Sequence, residues 1–421
     1  NKIQWYDYND VAYTTQVSPA TNWMRREAKT VLKQNYQGYF EYKNTFGIDH
    51  SFAAMIGASY EKERAEGFGV RSNTLSTSDI HSVASTLTST STITPTDAIS
   101  VWALGSYFSR LNYSYKEKYL VEVLGRYDGS SRFLQGYRWK PFYGTSLGWR
   151  ISEESWLKKT EIFDNLKLRA SYGEAGNQNG IGIYDGYALI NKNVSSGTTH
   201  NFPIFGPDAT SGTAVTQSLT QANVVALDRT WEVIKTKNIG LDFAVLKSRL
   251  SGSFDYFWKV NDGMLVSVVY PTVYGATAPR TNSGEMKVEG WELSLNWRDK
   301  INDFKYYVGF NLSDNWNKLT KMENATVKST NAITNTLLDY QTGTFWGLSW
   351  EKLIETQEEL DAYKLLLANA NGDKLPNYTT VKIGDSKYKD LDSDGDIDYN
   401  DRKLLGDNAL HYNYALNFGG E

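Results

Sequence analysis

The chain has no cysteine among its 421 residues and only four histidines. A disulfide framework, a thiolate metal site and a cysteine nucleophile are therefore excluded. No histidine pair has the spacing of a zinc site, and the four are scattered at His50, His81, His200 and His411. The 44 basic and 48 acidic residues give a net charge of −4, which indicates no general affinity for nucleic acid. No apolar run approaches the ~20 residues of a transmembrane helix.

Recognisable catalytic motifs are also missing. The sequence contains neither a P-loop nor a strand–G-x-G-x-x-G–helix unit. Residues 144–148 match the G-x-S-x-G pattern, but they lie inside the alternating segment 142–150, where a strand is predicted instead of the required strand-to-helix turn. Carboxylate pairs for glycoside hydrolysis remain open, although no pair stands out. We therefore predict that the protein is not an enzyme.

Aromatic residues are abundant, with 29 Tyr and 13 Trp, and many of them fall in alternating segments. Every second residue of one segment is apolar or small, namely Tyr119, Val121, Val123, Gly125 and Tyr127. A second segment repeats the pattern at Leu250, Gly252, Phe254, Tyr256 and Trp258. Successive side chains of a strand point to opposite faces, so each segment has one apolar and one wetter face. This pattern is typical of membrane-spanning β-strands with aromatic girdles.

The alternation predicts a series of antiparallel strands joined alternately by short and long connections. The predicted strands are 38–45, 51–61, 101–116, 118–128, 141–152, 165–172, 238–245, 250–260, 290–298, 303–314 and 412–418. The long connections are 67–98, 174–228, 262–289 and 318–408. Tight turns at one end and long loops at the other are typical of an outer-membrane barrel. The fold class predicted is all-β, a transmembrane antiparallel β-barrel. The one helix expected is a short one at 357–369, which a capping box at Thr356 and Glu359 begins.

A twelve-residue acidic loop follows that helix. Its acidic residues occupy positions 1, 3, 5, 7, 9 and 12, and Gly395 occupies position 6. This is the pattern of an EF-hand calcium loop, although Asp stands at position 12 in place of Glu and no flanking helix pair is evident. We therefore expect a lone Ca²⁺ loop, the alternative being a solvated acidic turn without metal. The predicted ligands are Asp390, Asp392, Asp394, Asp396, Asp398 and Asp401.

Aromatic side chains in the long loops are the other candidate binding residues. They could stack on sugar rings or pack on a partner protein, and the alternative is packing within the loops themselves. The candidates are Phe202, Phe205, Tyr270, Tyr274, Phe345, Trp346 and Trp350.

Several short motifs, in order along residues 38–421, resemble the SusC/RagA family of TonB-dependent outer-membrane transporters. They include the segments 106–115, 118–120, 128–133, 148–154, 166–173, 176–178, 231–232, 238–242, 249–256, 284–285 and 290–293, and the acidic loop into Asp401-Arg402. The resemblance implies a barrel of about 22 strands, an N-terminal plug and a segment that contacts TonB. It also implies a SusD-like surface lipoprotein as partner, with oligosaccharides or peptides as substrates.

The resemblance covers the barrel portion of that family. We expect about 12–14 strands, too few to close such a barrel, and we expect that the plug and the final strands lie outside this chain. The predicted organisation is a barrel fragment over 1–421 with an extracellular loop region at 351–405. Expected surroundings are a lipid bilayer with lipopolysaccharide, and no nucleic acid. The alternative function is a secreted or surface glycan-binding or adhesive β-protein without transport.

Overall fold

A computed structural model of the chain describes residues 23–73, 93–188, 190–195, 204–205, 216–221, 224–267, 279–322, 334–335, 338–369, 380–398 and 400–421. The strands are β1 (Trp23–Phe46), β2 (His50–Asn73), β3 (Ile93–Tyr115), β4 (Tyr119–Ser130), β5 (Trp139–Arg150), β6 (Phe163–Asn177), β7 (Ile190–Ser195), β8 (Ile204–Phe205), β9 (Thr216–Gln221), β10 (Glu232–Val245), β11 (Leu250–Ser267), β12 (Arg280–Ile301), β13 (Phe304–Lys321), β14 (Thr334–Asn335), β15 (Thr344–Leu348), β16 (Trp350–Leu353), β17 (Ser386–Tyr388), β18 (Arg402–Asp407) and β19 (Asn413–Gly420). The helices are a 3₁₀ turn (Ile151–Glu153), α1 (Ser155–Lys158) and α2 (Gln357–Asn369).

Eleven strands form one antiparallel sheet in the order β1-β2-β3-β4-β5-β6-β10-β11-β12-β13-β19. These are the eleven strands that the alternation predicts, so the all-β fold class is confirmed. The broader estimate of about 12–14 strands exceeds what the described residues place in this sheet. The extra strands of the long connections are short and pair among themselves, in three small sheets of two or three strands.

All strands of the main sheet except β5 are longer than the alternating pattern predicts. Strands β1 and β2 each have 24 residues, whereas a membrane-spanning strand needs only ~9–11. Their backbone pairing continues without a register shift from Phe46 and His50 to Trp23 and Asn73. Apolar alternation marks only the part of a strand that has a lipid-facing side. Beyond that part the strands continue to pair, because backbone hydrogen bonding does not depend on alternating side chains.

Connections of the main sheet are tight at one end. They span residues 47–49, 116–118, 246–249 and 302–303, and residues 151–162 form a fifth, longer connection. Several of these turns contain residues with positive φ, among them Gly47 (65°), Glu117 (51°) and Asn302 (56°). The last of them is shorter than the predicted turn at 299–302, because β12 extends to Ile301. Among the described residues, no helix has the length and apolar character to cross a membrane.

Candidate functional site

The sheet has one apolar face, and the register shows how its residues align. One row of directly paired residues crosses all eleven strands: Phe46, His50, Tyr115, Tyr119, Trp149, Leu168, Leu241, Phe254, Leu293, Leu312 and Tyr414. All but the histidine are apolar or aromatic. Tyr119, Val121 and Val123 are 44%, 36% and 45% exposed, so this face is not a protein interior. An exposed, continuous apolar face of this size requires contact with another apolar phase.

The opposite face is polar. The adjacent row reads Thr45, Ser51, Ser114, Leu120, Gly148, Arg169, Gly240, Asp255, Glu292, Ser313 and Asn413. Arg169 bridges three strands: its Nε and Nη2 donate to Asp242 at 2.8 and 2.9 Å, and Nη2 also donates to Asp255 at 3.0 Å. An ion-pair network of this kind belongs to a surface that water reaches, and in a barrel that surface is the lumen.

Two aromatic groups border the apolar face. Near the tight turns, the Tyr115 and Tyr119 rings stack at 6.3 Å. Towards the long connections, the Trp139 ring stacks on Tyr107 at 5.9 Å and on Tyr127 at 5.1 Å. Eight residues of β4 separate Tyr119 from Tyr127, or about 27 Å along the strand and about 20 Å along the membrane normal at the usual tilt. This spacing matches an apolar band between two interfacial girdles.

Glycine is required at one point of the second aromatic group. Trp139 lies over Gly129, its direct partner on β4. A Cβ at that glycine would come within 2.4 Å of the indole ring. The aromatic ring therefore occupies the space that a side chain on β4 would fill.

A buried apolar cluster that the sequence reasoning did not identify lies at the long-connection end of the sheet. It comprises Phe133, Phe142, Ile181, Trp231 and Val233. The Trp231 ring meets Phe133 at 5.2 Å and the edge of Phe142 at 5.8 Å, and its Nε1 donates to the Arg138 carbonyl at 2.8 Å. Three of these residues come from connections and not from alternating segments, so periodicity gives no signal for them.

Glu232 joins this cluster to the neighbouring strands. It is 6% exposed, and its carboxylate accepts hydrogen bonds from Asn177 Nδ2 at 2.8 Å and from the Leu265 backbone N–H at 2.8 Å. The preceding Arg229, 9% exposed, donates to the Arg280 carbonyl at 3.0 Å through Nη2. These contacts fix the bases of the long connections to the rim of the sheet.

The helix predicted at 357–369 is confirmed as α2, with the same bounds. The Glu359 N–H donates to Thr356 Oγ1 at 3.2 Å, as the capping box predicts. Its apolar side is buried in a small core with Ile397 of the acidic loop, formed by Ile354, Leu360, Tyr363, Leu367, Val381 and Ile397. The acidic loop is therefore packed on the helix and does not extend freely into solvent.

Within the acidic loop, the six predicted ligands form two groups instead of one. Asp390, Asp392 and Asp394 form the first, Asp396, Asp398 and Asp401 the second, and the carboxylate oxygens of each group lie within 4.8 Å of one another. Gly395 has φ of 91°, so the sharp turn expected at position 6 is present. Burial and the neighbouring charge of Asp394 raise the pKa of Asp392 and of Asp396.

Two residues in this loop bear on metal binding. Asp401 is fully buried, and its carboxylate accepts the backbone N–H groups of Leu391 at 2.6 Å and Asp398 at 2.8 Å. Asp396 Oδ1 is buried and has no hydrogen-bond partner. A buried oxygen without a donor is unusual in proteins, and an ion is one of the partners that explain it. The carboxylate set suits a hard cation such as Ca²⁺.

The candidate aromatic residues are dispersed. Phe202, Tyr270 and Tyr274 lie outside the described residues, and of Phe205 only the backbone, in β8, is described. Phe345 is half-buried in β15. Trp346 is 6% exposed, meets Tyr340 edge-on at 4.9 Å and donates to Thr344 at 2.8 Å, so it packs within the loops. Trp350 is 58% exposed and is available to a partner.

Comparison with known proteins agrees with this geometry. The family model "TonB dependent receptor-like, beta-barrel" matches residues 1–419. TonB-dependent receptor P26 of Formosa agariphila is 29% identical over 390 residues, which are 88% of this chain and 36% of the relative. TonB-dependent receptor SusC of Bacteroides thetaiotaomicron is 30% identical over 328 residues, 75% of this chain and 30% of the relative. The chain thus spans about a third of the length of these curated relatives.

A solved structure of the RagAB peptide transporter has the same fold. It superposes with a TM-score of 0.72 at 21% identity, covering 94% of this chain and 40% of that one. The apolar face is therefore the lipid-facing side of a barrel, the polar face is its lumen, and the short and long connections are periplasmic and extracellular. The chain belongs to the β-barrel family of TonB-dependent receptors and is part of an outer-membrane barrel of the SusC/RagA type.

Proposed function

We propose that the full-length protein imports an organic nutrient across the outer membrane with energy supplied through TonB. The observation that carries the proposal is the two-faced register. All eleven paired positions of one row except His50 are apolar or aromatic, and all eleven of the adjacent row except Leu120 and two glycines, Gly148 and Gly240, are polar. A wall of this construction encloses a water-filled passage through lipid. No bond is made or broken during such transport, so no catalytic residue is required.

The proposed substrate is an oligosaccharide, with a peptide as the second candidate. Support comes from the relatives, one of which is SusC and another the RagAB peptide transporter. The lumen face also suits a hydrophilic solute, since Arg169, Asp255 and Glu292 provide charged groups along one row. Such groups bind hydroxyls and amides by hydrogen bonds and have little affinity for apolar compounds.

The proposed partners are a SusD-like lipoprotein on the extracellular side and the TonB complex on the periplasmic side. Large apolar side chains exposed on the extracellular loops support the first, because such patches mark interaction surfaces. Trp350 is 58% exposed, Leu353 50%, Leu365 65% and Leu410 83%. A substrate held between these loops and the lipoprotein would enter the lumen when TonB acts on the plug.

The experiment that tests this function compares growth and uptake. A strain without the gene should fail to grow on one defined oligosaccharide or peptide mixture, and the full-length gene should restore growth. Uptake of the labelled nutrient should stop in a TonB-deficient strain, while surface binding persists. Equal uptake with and without the gene, on every nutrient that the parent strain uses, would exclude import and favour the alternative of a glycan-binding or adhesive protein.

We also propose that the acidic loop 390–401 binds one Ca²⁺ ion. The buried, unpartnered Oδ1 of Asp396 supports this, together with the two groups of carboxylates. A cation would neutralise like charges that the fold holds close together. Because Ile397 is part of the α2 core, the ion would stabilise the whole extracellular region around that helix, in a structural role.

A further inference from the structure

One periplasmic connection differs from the others in length. Residues 151–162 join β5 to β6 and fold into the 3₁₀ turn and α1, whereas the four other connections at this end have two to four residues. Tight connections suffice to join neighbouring antiparallel strands. The additional residues of 151–162 therefore have a role beyond joining β5 to β6.

Glu154 attaches this connection to the outside of the barrel. Its Oε1 accepts hydrogen bonds from the Tyr119 hydroxyl at 2.6 Å and from Trp149 Nε1 at 3.1 Å, and Lys118 Nζ lies 3.4 Å from Oε2. Tyr119 and Trp149 are direct partners in the lipid-facing row. The connection is therefore held against the outer face, at the level of the periplasmic aromatic group, and not under the lumen.

A second set of ion pairs stabilises the shape of the connection. Glu153 accepts from Arg150 Nη2 at 3.2 Å and from Lys158 Nζ at 2.9 Å. Ser152 is 5% exposed, so the first residues of the segment are packed. The segment is thus tied at its start by Glu153 and Glu154, and it is rigid enough to present specific side chains.

The side chains presented are those of an interfacial segment. Trp156 is 61% exposed and Ile162 59% exposed, and two exposed lysines, Lys158 and Lys159, follow Trp156 after one intervening residue. Tryptophan prefers the head-group region of a bilayer, because its ring is apolar and its N–H is polar. A lysine beside it extends its ammonium group toward phosphate, and Lys159 is placed to do so because Lys158 is paired with Glu153.

We propose that residues 151–162 form an interfacial anchor that lies in the head-group region of the periplasmic leaflet, with Trp156 inserted among the phospholipids. The surface is continuous with the lipid-facing row through Tyr119 and Trp149, and this continuity selects lipid over a protein as the occupant. The anchor fixes the height of the barrel in the membrane and requires only the outer-membrane location, so it stands apart from the proposed import.

A fluorescent label at position 156 tests the anchor. The chain has no cysteine, so Trp156→Cys in the full-length protein, with any cysteine elsewhere replaced, accepts a single environment-sensitive dye. Lys247→Cys, at the exposed β10–β11 turn, is the matched control for a periplasmic connection in water. Phe254→Cys marks the lipid-facing side. Heat-modifiable mobility on gels confirms that each variant has assembled.

In vesicles of phosphatidylethanolamine and phosphatidylglycerol, the label at 156 should resemble the Phe254→Cys label. Its emission should shift to the blue, head-group nitroxide lipids should quench it, and iodide should quench it several-fold less than the label at 247. Equal iodide quenching at 156 and 247 would overturn the proposal. So would a label at 156 that is exposed in vesicles but protected in intact cells, because a periplasmic protein would then cover it.

Changes at Glu154 separate the anchor from local packing. Glu154→Leu removes the acceptor for Tyr119 and Trp149 and should return iodide quenching at 156 toward the value at 247. Glu154→Gln keeps a carbonyl acceptor and should retain most of the protection. If both variants leave the label as protected as before, the attachment by Glu154 does not position the segment, and the inference fails.

Discussion

Replacing Val123 by Lys places a charge at the centre of the lipid-facing side. Val123 is 45% exposed and lies four residues from Tyr119 and four from Tyr127, the members of the two aromatic groups on β4. At ~3.4 Å per residue and the usual strand tilt, each group is about 10 Å away along the membrane normal. A lysine there is too deep for its ammonium group to reach water without distorting the bilayer.

The cost follows from that depth. A lysine on the lipid face at the bilayer midplane costs roughly 2–4 kcal/mol. The ratio of folded to unfolded protein should therefore fall roughly 30- to 900-fold, since 1.36 kcal/mol is a factor of ten. The matched control is Ser146→Lys, at a similar height on the lumen face, where Ser146 of β5 is the direct partner of Glu122 on β4. That change should stay within about 0.5 kcal/mol.

Urea unfolding of the full-length protein in lipid vesicles measures both variants. Val123→Lys should lower the unfolding midpoint and the fraction with heat-modifiable mobility, whereas Ser146→Lys should leave both unchanged. The assignment of faces would be refuted if Val123→Lys unfolded at the wild-type midpoint. It would equally be refuted if Ser146→Lys were as destabilising as Val123→Lys.

Three further predictions concern the extracellular side. Asp392→Asn combined with Asp394→Asn should make 388–401 sensitive to protease at any Ca²⁺ concentration. In the wild type, the same segment should become sensitive only when a chelator removes Ca²⁺. Identical digestion of the wild type with and without chelator would argue against calcium. The hydrogen bond to Asp314 raises the pKa of His411, so its stabilising contribution is complete below about pH 6.5 and is lost as the pH rises through the folded-state pKa. Proteolysis of the adjoining loop should increase over that range in wild type and stay constant with pH in His411→Gln. Glu232→Ala leaves the half-buried backbone N–H of Leu265 without its acceptor and should cost about 1–3 kcal/mol in urea unfolding. An unchanged free energy of unfolding would mean that water replaces the carboxylate.

The strands were predictable from sequence because lipid imposes a period of two. Every second residue of 119–127 and of 250–258 is apolar or small, and both segments proved to be strands of the main sheet, β4 and β11. Strand ends were not predictable in the same way, as β1 begins at Trp23 although the pattern starts at about residue 38. Beyond the bilayer, both faces of a strand are in water. The sequence there does not have to alternate, and it gives no signal for where the strand ends.

The loops were predictable only where a local rule applies. Helix α2 matches its predicted bounds because a capping box and a 3.6-residue period are local signals. The positions of Trp346 and Trp350 were not predictable, because nothing local distinguishes them: one is buried against Tyr340 and the other is exposed. The cluster around Trp231 was likewise not predictable, since three of its five members come from connections far apart in the chain.

The sequence by itself determined which side of each strand faces lipid, because that choice depends only on the parity of apolar residues along one segment. It also determined the chemistry of the acidic loop, which is contained in twelve consecutive residues. Only the tertiary structure decided the register that aligns Tyr119, Trp149 and Leu168 into one row, and that brings Arg169 to two aspartates on other strands. Register is a relation between segments far apart in the chain, set by turn geometry and pairing, and no single segment encodes it.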